Sequence, residues 1–197
     1  MINICVIEDI IDIQNGLKSI FDNDHRFNLL KCFNNAEDAI VELSELDPDI
    51  VIADINLPQK SGIECVREIK SKNVDIQFIM FTIYDDNEQV FEALKAGASA
   101  YILKNTTPEK IIDSLLELYD GGSPMSPKIA RKVLNSFNSN ASESISDLIS
   151  KREQEVLELL SKGYLYKEIA DKLNVTLNTV KKHLNHIYFK LQVQNKT

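Results

Sequence analysis

Acidic residues follow two predicted strands of this sequence at the points where the apolar runs end. The run Ile50–Ala53 stops at Asp54, and the run Ile2–Ile7 stops at Glu8 and Asp9. Successive apolar residues that end abruptly indicate strands covered on both faces, as in the parallel sheets of α/β proteins. Open α/β sheets bind ligands at the carboxyl ends of their strands, so we expect the three carboxylates to lie together there.

Three neighbouring carboxylates repel one another unless a cation lies among them. Hard oxygen ligands with room for water suit Mg²⁺, which predicts a magnesium site at Glu8, Asp9 and Asp54. For Asp54 taken alone, capping of the next loop is an equally good interpretation, because Asp is a common loop residue.

A hydroxyl and an amine follow the next two predicted strands. Ile76–Phe81 is followed by Thr82, and Ala100–Leu103 is followed by Lys104. Acids, a hydroxyl and an amine on four strand ends predict phosphoryl transfer, with Asp54 as the nucleophile and Mg²⁺ neutralising the transferred oxygens. Thr82 would donate a hydrogen bond to one phosphoryl oxygen, and Lys104 would form an ion pair with another.

Residues 1 to about 120 resemble the receiver domain of two-component response regulators. The resemblance rests on VIED at 6–9, DINLPQKSG at 54–62, FT at 81–82 and AYILK at 100–104. It implies a set of site residues: the phospho-acceptor Asp54, the metal ligands Glu8, Asp9 and the backbone carbonyl of Asn56, the switch residues Thr82 and Tyr101, and Lys104. After phosphorylation, Thr82 would swing toward the phosphoryl group and Tyr101 would turn inward.

The strands alternate with predicted amphipathic helices, which indicates an α/β fold. The first helix, ending near Asn23, has a predicted inward face of Ile13, Leu17, Ile20 and Phe21. Each of the other four helices begins at a residue or pair that favours a helix start. Asn35 begins the second helix, which runs to about Leu46, and Ser61 with Glu64 begins the third. Asp86 begins the fourth helix, and Thr107 with Pro108 begins the fifth. We predict a flavodoxin-like, doubly wound (βα)5 receiver domain with parallel sheet order 2-1-3-4-5, which brings the tips of the first and third strands together.

Length and composition are those of a soluble globular protein. The 197 residues include 44% hydrophobic and 26% charged residues. No apolar run approaches the roughly 20 residues of a membrane helix, and the amino terminus lacks a signal-peptide pattern. We therefore expect a cytoplasmic protein. Cys5, Cys32 and Cys65 have no metal-ligand spacing and are interpreted as small buried side chains.

The net charge of −8 conceals two oppositely charged parts. Residues 1–146 hold 13 Lys and Arg against 24 Asp and Glu, whereas residues 147–197 hold 9 against 6. Between them, Gly121–Pro124 ends the last receiver helix, apolar residues from Ile129 to Phe137 predict a connecting helix, and Asn135–Ser146 has a linker composition. We predict a receiver domain at 1–120, a connecting helix and flexible linker at 121–146, and a DNA-binding domain at 147–197.

Residues 147–197 predict a small all-α domain. Ser150 and Glu153 have capping-box spacing ahead of a helix that stops at Gly163. A short helix follows, then a tight turn and a longer helix capped by Thr176, whose inward face is Val180, Leu184, Ile187 and Leu191. Helix, short turn and helix form the helix-turn-helix arrangement, in which the second helix lies in the DNA major groove.

The opposite face of the last helix carries Asn178, Lys181, Lys182 and Asn185. Lysine and asparagine reach phosphates and base edges, although an isolated lysine pair is usually only solvated. The stretches REQEVLELLSKG, KEIADKLNV and NTVKKHLNHIYFKL resemble the LuxR-type helix-turn-helix of NarL/FixJ-family response regulators. The resemblance implies two groups of DNA contacts: base reading by Lys181, Lys182 and Asn185, and backbone positioning by Thr176, Thr179 and Lys190.

The resemblance implies a transcription factor whose DNA binding is switched by phosphorylation of Asp54. Its expected partners are a sensor histidine kinase, double-stranded DNA and, when phosphorylated, a second copy of the chain. The family's DNA-binding module usually continues past residues 195–197 with a helix that pairs two such modules, which leaves open how a dimer holds its DNA.

Two other functions stay open at this point. The receiver could be a fixed interaction scaffold beside a constitutive DNA-binding module. A magnesium-dependent phosphatase also uses an Asp nucleophile, but such enzymes typically carry a second acid two residues on, where this chain has Asn56. We interpret the chain as a regulator and not an enzyme, apart from slow hydrolysis of its own aspartyl phosphate.

Overall fold

Parallel strands form one sheet within the residues that the computed structural model describes, which are 1–72, 75–83, 87–139 and 149–193. The strand order is β2-β1-β3-β4-β5, as predicted. The strands are β1 Ile2–Ile7, β2 Phe27–Phe33, β3 Ile50–Ala53, β4 Gln77–Thr82 and β5 Ala100–Leu103. Strand β4 lies one residue later than the apolar run that predicted it, so Thr82 is its last residue.

The register of the sheet places the ends of β1 and β3 side by side. Ile7 pairs with Ala53, and the backbone N–H of Asp54 donates to the Ile7 carbonyl at 2.9 Å. On the other side of β1, the N–H of Glu8 donates to the Phe33 carbonyl at 2.9 Å. Glu8 and Asp54 therefore leave the sheet from adjacent strands at the same edge.

Helices cover both faces of the sheet because alternate strand residues point to opposite sides. The helices of this part are α1 Ile11–Asp22, α2 Ala36–Leu46, α3 Gly62–Ser71, α4 Asn87–Ala96 and α5 Pro108–Tyr119. Ile4 and Val6 belong to the core beneath α1 and α5, whereas Cys5 and Ile7 belong to the core beneath α2, α3 and α4. This is the doubly wound arrangement that the sequence predicted.

Three of the four start signals predicted for α2 to α5 coincide with helix starts in the structure. Asn35 and Ser61 cap α2 and α3, and Ser61 forms the predicted capping box with Glu64. Thr107 occupies the capping position of α5, but its side chain makes no capping hydrogen bond. The predicted cap of α4, Asp86, lies outside the described residues.

The inward face of α1 differs from the prediction. Its buried residues are Gln14, Leu17 and Phe21, whereas Ile13 and Ile20 are only partly buried. The apolar spacing pointed to Ile13, but the helix is rotated so that the polar Gln14 faces the sheet. The hydrogen bonds that this side chain makes, described below, explain its burial.

The second part of the chain is helical. Its helices are α6 Pro127–Ser139, α7 Lys151–Ser161, α8 Tyr166–Leu173 and α9 Leu177–Val193. The predicted start of the linker at Asn135 is wrong, because α6 continues through Ser139; residues 140–148 lie outside the described ranges. Within those ranges, every helix is too short or too polar to span a lipid bilayer.

The helical part packs on the receiver part. Helix α6 lies between α4 and α7, and α9 also contacts α4. Between the two parts, the side-chain amide of Gln192 in α9 donates to the Ala98 carbonyl at 3.2 Å. Within the helical part, Arg131 in α6 donates to the Ser161 carbonyl of α7 at 2.7 Å. The buried core of the α2, α3 and α4 face therefore continues without a break into the helical part.

Gly62 allows the first turn of α3 to lie directly on the backbone of Asp54. An ideal Cβ atom added at Gly62 would lie 1.9 Å from the Asp54 carbonyl oxygen, and the Gly62 N–H donates to the Ile55 carbonyl at 2.9 Å. The clash would be between the added Cβ atom and a backbone oxygen, and neither position depends on a side-chain rotation, so no rotation relieves it. The loop after Asp54 thus has its shape only with glycine at position 62.

We expect Gly62→Ala to lower the free energy of unfolding by about 1–3 kcal/mol or more, since the backbone must shift to accept the methyl group. Gly16→Ala is the matched control: Gly16 lies within α1 with nothing within 4 Å of an added Cβ atom. That change should raise the free energy of unfolding by about 0.5–1 kcal/mol. Urea unfolding measures both, and equal effects of the two substitutions would contradict this account.

Candidate phosphoryl-acceptor site and DNA-binding face

The three predicted acids meet at the carboxyl ends of β1 and β3. Ligand oxygens of Glu8, Asp9 and Asp54 all lie within 4.8 Å of one another. Glu8 is 1% exposed and Asp54 is 5% exposed, whereas Asp9 is open to solvent. Two buried carboxylates and one accessible carboxylate thus form a cluster with an open side.

Lys104 pairs with both buried acids. Its Nζ lies 2.6 Å from Glu8 Oε2 and 2.8 Å from Asp54 Oδ2. Burial alone would lower the pKa of Lys104, but hydrogen bonds to Asp54 and Glu8 outweigh it, and the pKa is raised. Lys104 is therefore a permanent cation of the site at neutral pH.

The two oxygens of Asp54 are held by different groups. Oδ1 accepts a hydrogen bond from the N–H of Ile55 at 2.7 Å, and Oδ2 binds Lys104. Burial raises the pKa of the neighbouring Glu8, although Lys104 partly offsets this effect. The cluster holds three acids and one ammonium group, so carboxylate oxygens remain as donors for a divalent cation.

The donor set fits a hard cation, because its atoms are carboxylate oxygens and one side is open to water. Asn56, the predicted source of a carbonyl ligand, lies exposed in the loop two residues after Asp54. Its role as a ligand stays a prediction.

Thr82 and Tyr101 lie on the two strands next to the acid cluster. Thr82 is fully buried at the end of β4, where its carbonyl accepts from the Lys104 N–H at 3.0 Å. Tyr101, in β5, is only 1% exposed and forms an isolated parallel bridge with Met125. The predicted inward turn of Tyr101 thus starts from a side chain that is already buried, so its burial alone does not mark the phosphorylated state.

Gln14 is a site residue that the sequence prediction missed. Its buried side-chain amide donates to the backbone carbonyl of Glu8 and, at 2.7 Å, to Asn34 Oδ1. The available signal was a polar residue at helical spacing from Leu17 and Phe21. It was overlooked because Ile13 fitted an apolar face equally well.

The helix-turn-helix has the predicted internal structure. Asn174 forms the turn between α8 and α9 with φ of +50°, and Thr176 Oγ1 accepts from the Thr179 N–H at 3.1 Å. The predicted inward side chains of α9 are all buried, namely Val180, Leu184, Ile187 and Leu191.

An internal ion pair fixes α9 to α7. Lys190 Nζ lies 2.6 Å from Glu153 Oε2, and Glu153 is 3% exposed. Burial would raise the pKa of Glu153, but hydrogen bonds from Lys190 and Ser150 outweigh it and the pKa is lowered. Lys190, predicted to contact the DNA backbone, is thus engaged within the domain in this structure.

The predicted base-reading face of α9 is turned toward the receiver. The side-chain amide of Asn185 donates to the Gly121 carbonyl, and Lys181 Nζ lies 4.0 Å from Glu117 Oε1. Burial raises the pKa of Glu117, and the charge of Lys181 partly offsets it. By contrast, Lys182 and Asn178 are exposed.

A short segment after α5, residues Ser123–Met125, connects the two parts; we call it the strap. Pro124 accepts a hydrogen bond from the hydroxyl of Tyr188 in α9 at 3.0 Å. The N–H of Met125 donates to the hydroxyl oxygen of Tyr166 in α8 at 3.1 Å. Because Met125 also bridges Tyr101, the strap touches β5 on one side and both helices of the helix-turn-helix on the other.

Comparison with known proteins gives matches over the whole chain. Residues 4–116 match the response regulator receiver domain, and residues 147–197 match the bacterial regulatory proteins of the luxR family. Response regulator protein VraR of Staphylococcus epidermidis is 31% identical over 196 residues, covering 100% of this chain and 93% of its own. Transcriptional regulatory protein LnrK of Bacillus subtilis is 32% identical over 206 residues, covering 100% and 94%.

Solved structures support the same fold. The response regulator ChrA of a heme-sensing two-component system has a TM-score of 0.58 at 26% identity, over 96% of this chain and 89% of its own. Salmonella enterica RcsB, solved on promoter DNA with the phosphomimetic BeF3⁻, has a TM-score of 0.65 at 23% identity, over 99% and 94%. With its acid cluster at the strand ends, its helix-turn-helix and these relatives, the chain belongs to the two-component response regulators of the NarL/FixJ type, in which a receiver domain precedes a LuxR-type DNA-binding domain.

Proposed function

We propose that this protein is a transcription regulator in which phosphorylation of Asp54 releases a DNA-binding domain that is otherwise held against the receiver. One observation carries the proposal. Asn185 and Lys181, on the predicted base-reading face of α9, contact Gly121 and Glu117 at the end of the receiver. These contacts cover part of the face, and α9 cannot lie in a major groove with Asn185 and Lys181 against the receiver. Release of the domain is therefore the step that permits sequence-specific binding.

The chemistry begins at Asp54. One of its carboxylate oxygens attacks the phosphorus of a phosphohistidine on a sensor kinase, or of acetyl phosphate; a P–O bond to Asp54 forms as the bond to the donor breaks. Lys104 already lies 2.8 Å from Asp54 Oδ2, so it can pair with the incoming phosphoryl oxygens without a large movement. Thr82, at the adjoining strand end, supplies a hydroxyl donor.

Glu8, Asp9 and Asp54, with the Asn56 carbonyl, would hold a magnesium ion, which when bound neutralises charge on the transferred oxygens. The chain's own residues shield part of the site from water, since Glu8 and Asp54 are almost fully buried, whereas the side at Asp9 stays open. Slow hydrolysis of the aspartyl phosphate would return the protein to its starting state.

The phosphoryl group adds about 1.5–2 negative charges beside Lys104 and Thr82. Lys104 follows β5 directly, and its backbone is bonded to Thr82. A shift of these residues would move Tyr101 and, through its bridge, the strap residue Met125. The strap would then lose its hydrogen bonds to Tyr166 and Tyr188, and the DNA-binding domain would separate.

The partners follow from this cycle. The protein would act in the cytoplasm, where a sensor histidine kinase would supply the phosphoryl group and double-stranded DNA would bind the released α9. The freed surface would also allow two phosphorylated copies to pair on one operator. Exposed Lys182 and Asn178, with Lys181 and Asn185 after release, would reach bases, and Thr176, Thr179 and Lys190 would contact phosphates.

Replacing Asp54 with Asn should abolish covalent phosphoryl uptake, because an amide is a poor nucleophile. The measurement is incorporation of label from ³²P-acetyl phosphate with Mg²⁺. Asp12→Asn is the matched control, since Asp12 is an exposed acid in the first turn of α1, outside the acid cluster. The control should label as the wild type does; undiminished label on the Asp54→Asn protein would remove Asp54 from its assigned role.

Removing the Tyr188 hydroxyl should weaken the contact between the DNA-binding domain and the strap, because the hydrogen bond to the Pro124 carbonyl is lost. The aromatic ring stays in the core of the domain. We expect Tyr188→Phe to raise the affinity of the unphosphorylated protein for its DNA by about two- to tenfold, the equivalent of one hydrogen bond of about 0.5–1.5 kcal/mol. Affinity after phosphorylation should match the wild type. Tyr119→Phe, a half-exposed tyrosine at the end of α5, is the control and should change neither value.

Fluorescence anisotropy with a selected operator, with and without phosphodonor, gives all of these affinities. Equal affinities of wild type and Tyr188→Phe in both states would mean that the strap does not restrain the DNA-binding domain. Equal affinity of the wild type in the two states would instead favour the constitutive DNA-binding alternative.

A further inference from the structure

We propose that Gln14 is a positioning residue for the magnesium site, acting through the peptide that joins Glu8 and Asp9. Gln14 is 7% exposed, and its side-chain amide donates to the Glu8 carbonyl and to Asn34 Oδ1, the latter at 2.7 Å. The proposal rests on the metal site in the proposed function and adds a residue from α1 to it.

The hydrogen bond to the Glu8 carbonyl fixes the plane of one particular peptide. A peptide unit is planar, so the direction of its carbonyl group sets the direction of the bond from its nitrogen to the Cα atom of the next residue. The next residue is Asp9, the one acid of the cluster that is open to solvent. Gln14 therefore determines how the accessible ligand is presented relative to Glu8 and Asp54.

The other hydrogen bonds of this segment hold different groups. The N–H of Glu8 is held by the Phe33 carbonyl at 2.9 Å, as a last rung of the β1–β2 pairing. The N–H of Ile10 donates to Glu8 Oε1 at 3.3 Å, which restrains the Glu8 side chain. Neither of these bonds orients the carbonyl between Glu8 and Asp9, which is the part that Gln14 holds.

The bond from Gln14 to Asn34 makes the arrangement rigid. Asn34 follows β2 directly, so one amide group joins α1, the end of β1 and the end of β2. A flexible polar side chain on a solvated helix face would not hold a backbone carbonyl in this way. Gln14 is one of the buried residues of α1, and its burial brings the side-chain amide to the point where α1 meets the ends of β1 and β2.

The experiment compares Mg²⁺ affinity with fold stability in the full-length chain. Gln14→Met and Gln14→Leu introduce an apolar side chain of similar size and remove both N–H donors. Asn15→Met is the matched control, because Asn15 is an exposed amide one residue along the same helix. Isothermal titration with Mg²⁺ alone gives the dissociation constants, and thermal unfolding without Mg²⁺ gives the stability.

For the Gln14 variants we expect Mg²⁺ binding weaker by about tenfold, as for other groups that orient metal ligands. The Mg²⁺ concentration for half-maximal phosphoryl uptake should rise by a similar factor, whereas the rate at saturating Mg²⁺ should approach that of the wild type. Asn15→Met should bind as the wild type does. Either Gln14 variant suffices if the other fails to fold.

Mg²⁺ affinity within twofold of the wild type in a folded Gln14 variant overturns the proposal, even if its melting temperature falls, because the role would then be structural only. Failure of the wild type itself to bind Mg²⁺ overturns the metal site in the proposed function. These two failures are distinguishable in the same titrations.

Discussion

The ammonium group of Lys104 is the interaction on which the site depends. It lies within 2.8 Å of oxygens on both Glu8 and Asp54, two carboxylates that are almost entirely buried. Two such acids cannot both stay ionised side by side without a counter-charge, because burial and mutual repulsion favour protonation. Lys104 supplies that counter-charge to both acids, and the open side of the cluster at Asp9 leaves room for a second cation.

The same short strand serves the acceptor site and the interface with the DNA-binding domain. Lys104 follows β5 directly, whereas Tyr101 within β5 bridges to Met125 of the strap. The strap in turn binds hydroxyl groups of Tyr166 and Tyr188, on the two helices of the helix-turn-helix. A local change of charge therefore has a path of direct contacts, only a few residues long, to α8 and α9.

The strand ends, sheet order and helix-turn-helix could be predicted because each depends on local patterns: apolar runs that stop at acids, capping boxes, and 3.6-residue spacing. What failed depends on contacts distant in sequence. Gln14 is buried by partners on β1 and β2 that apolar periodicity does not register. Helix α6 continues through Asn135 to Ser139 despite its linker-like composition, because α4 and α7 pack against it. The approach of Asn185 to Gly121, 64 residues apart, has no sequence signal.

The most direct test of the coupling is amide hydrogen exchange at Met125, whose N–H donates to the Tyr166 hydroxyl oxygen across the interface. Exchange is followed by NMR before and after phosphorylation with acetyl phosphate, in the wild type and in Asp54→Asn. Release of the domain predicts that exchange at Met125 becomes faster in the phosphorylated wild type and stays unchanged in the variant. Full phosphorylation of Asp54 with unchanged protection at Met125 would contradict the account.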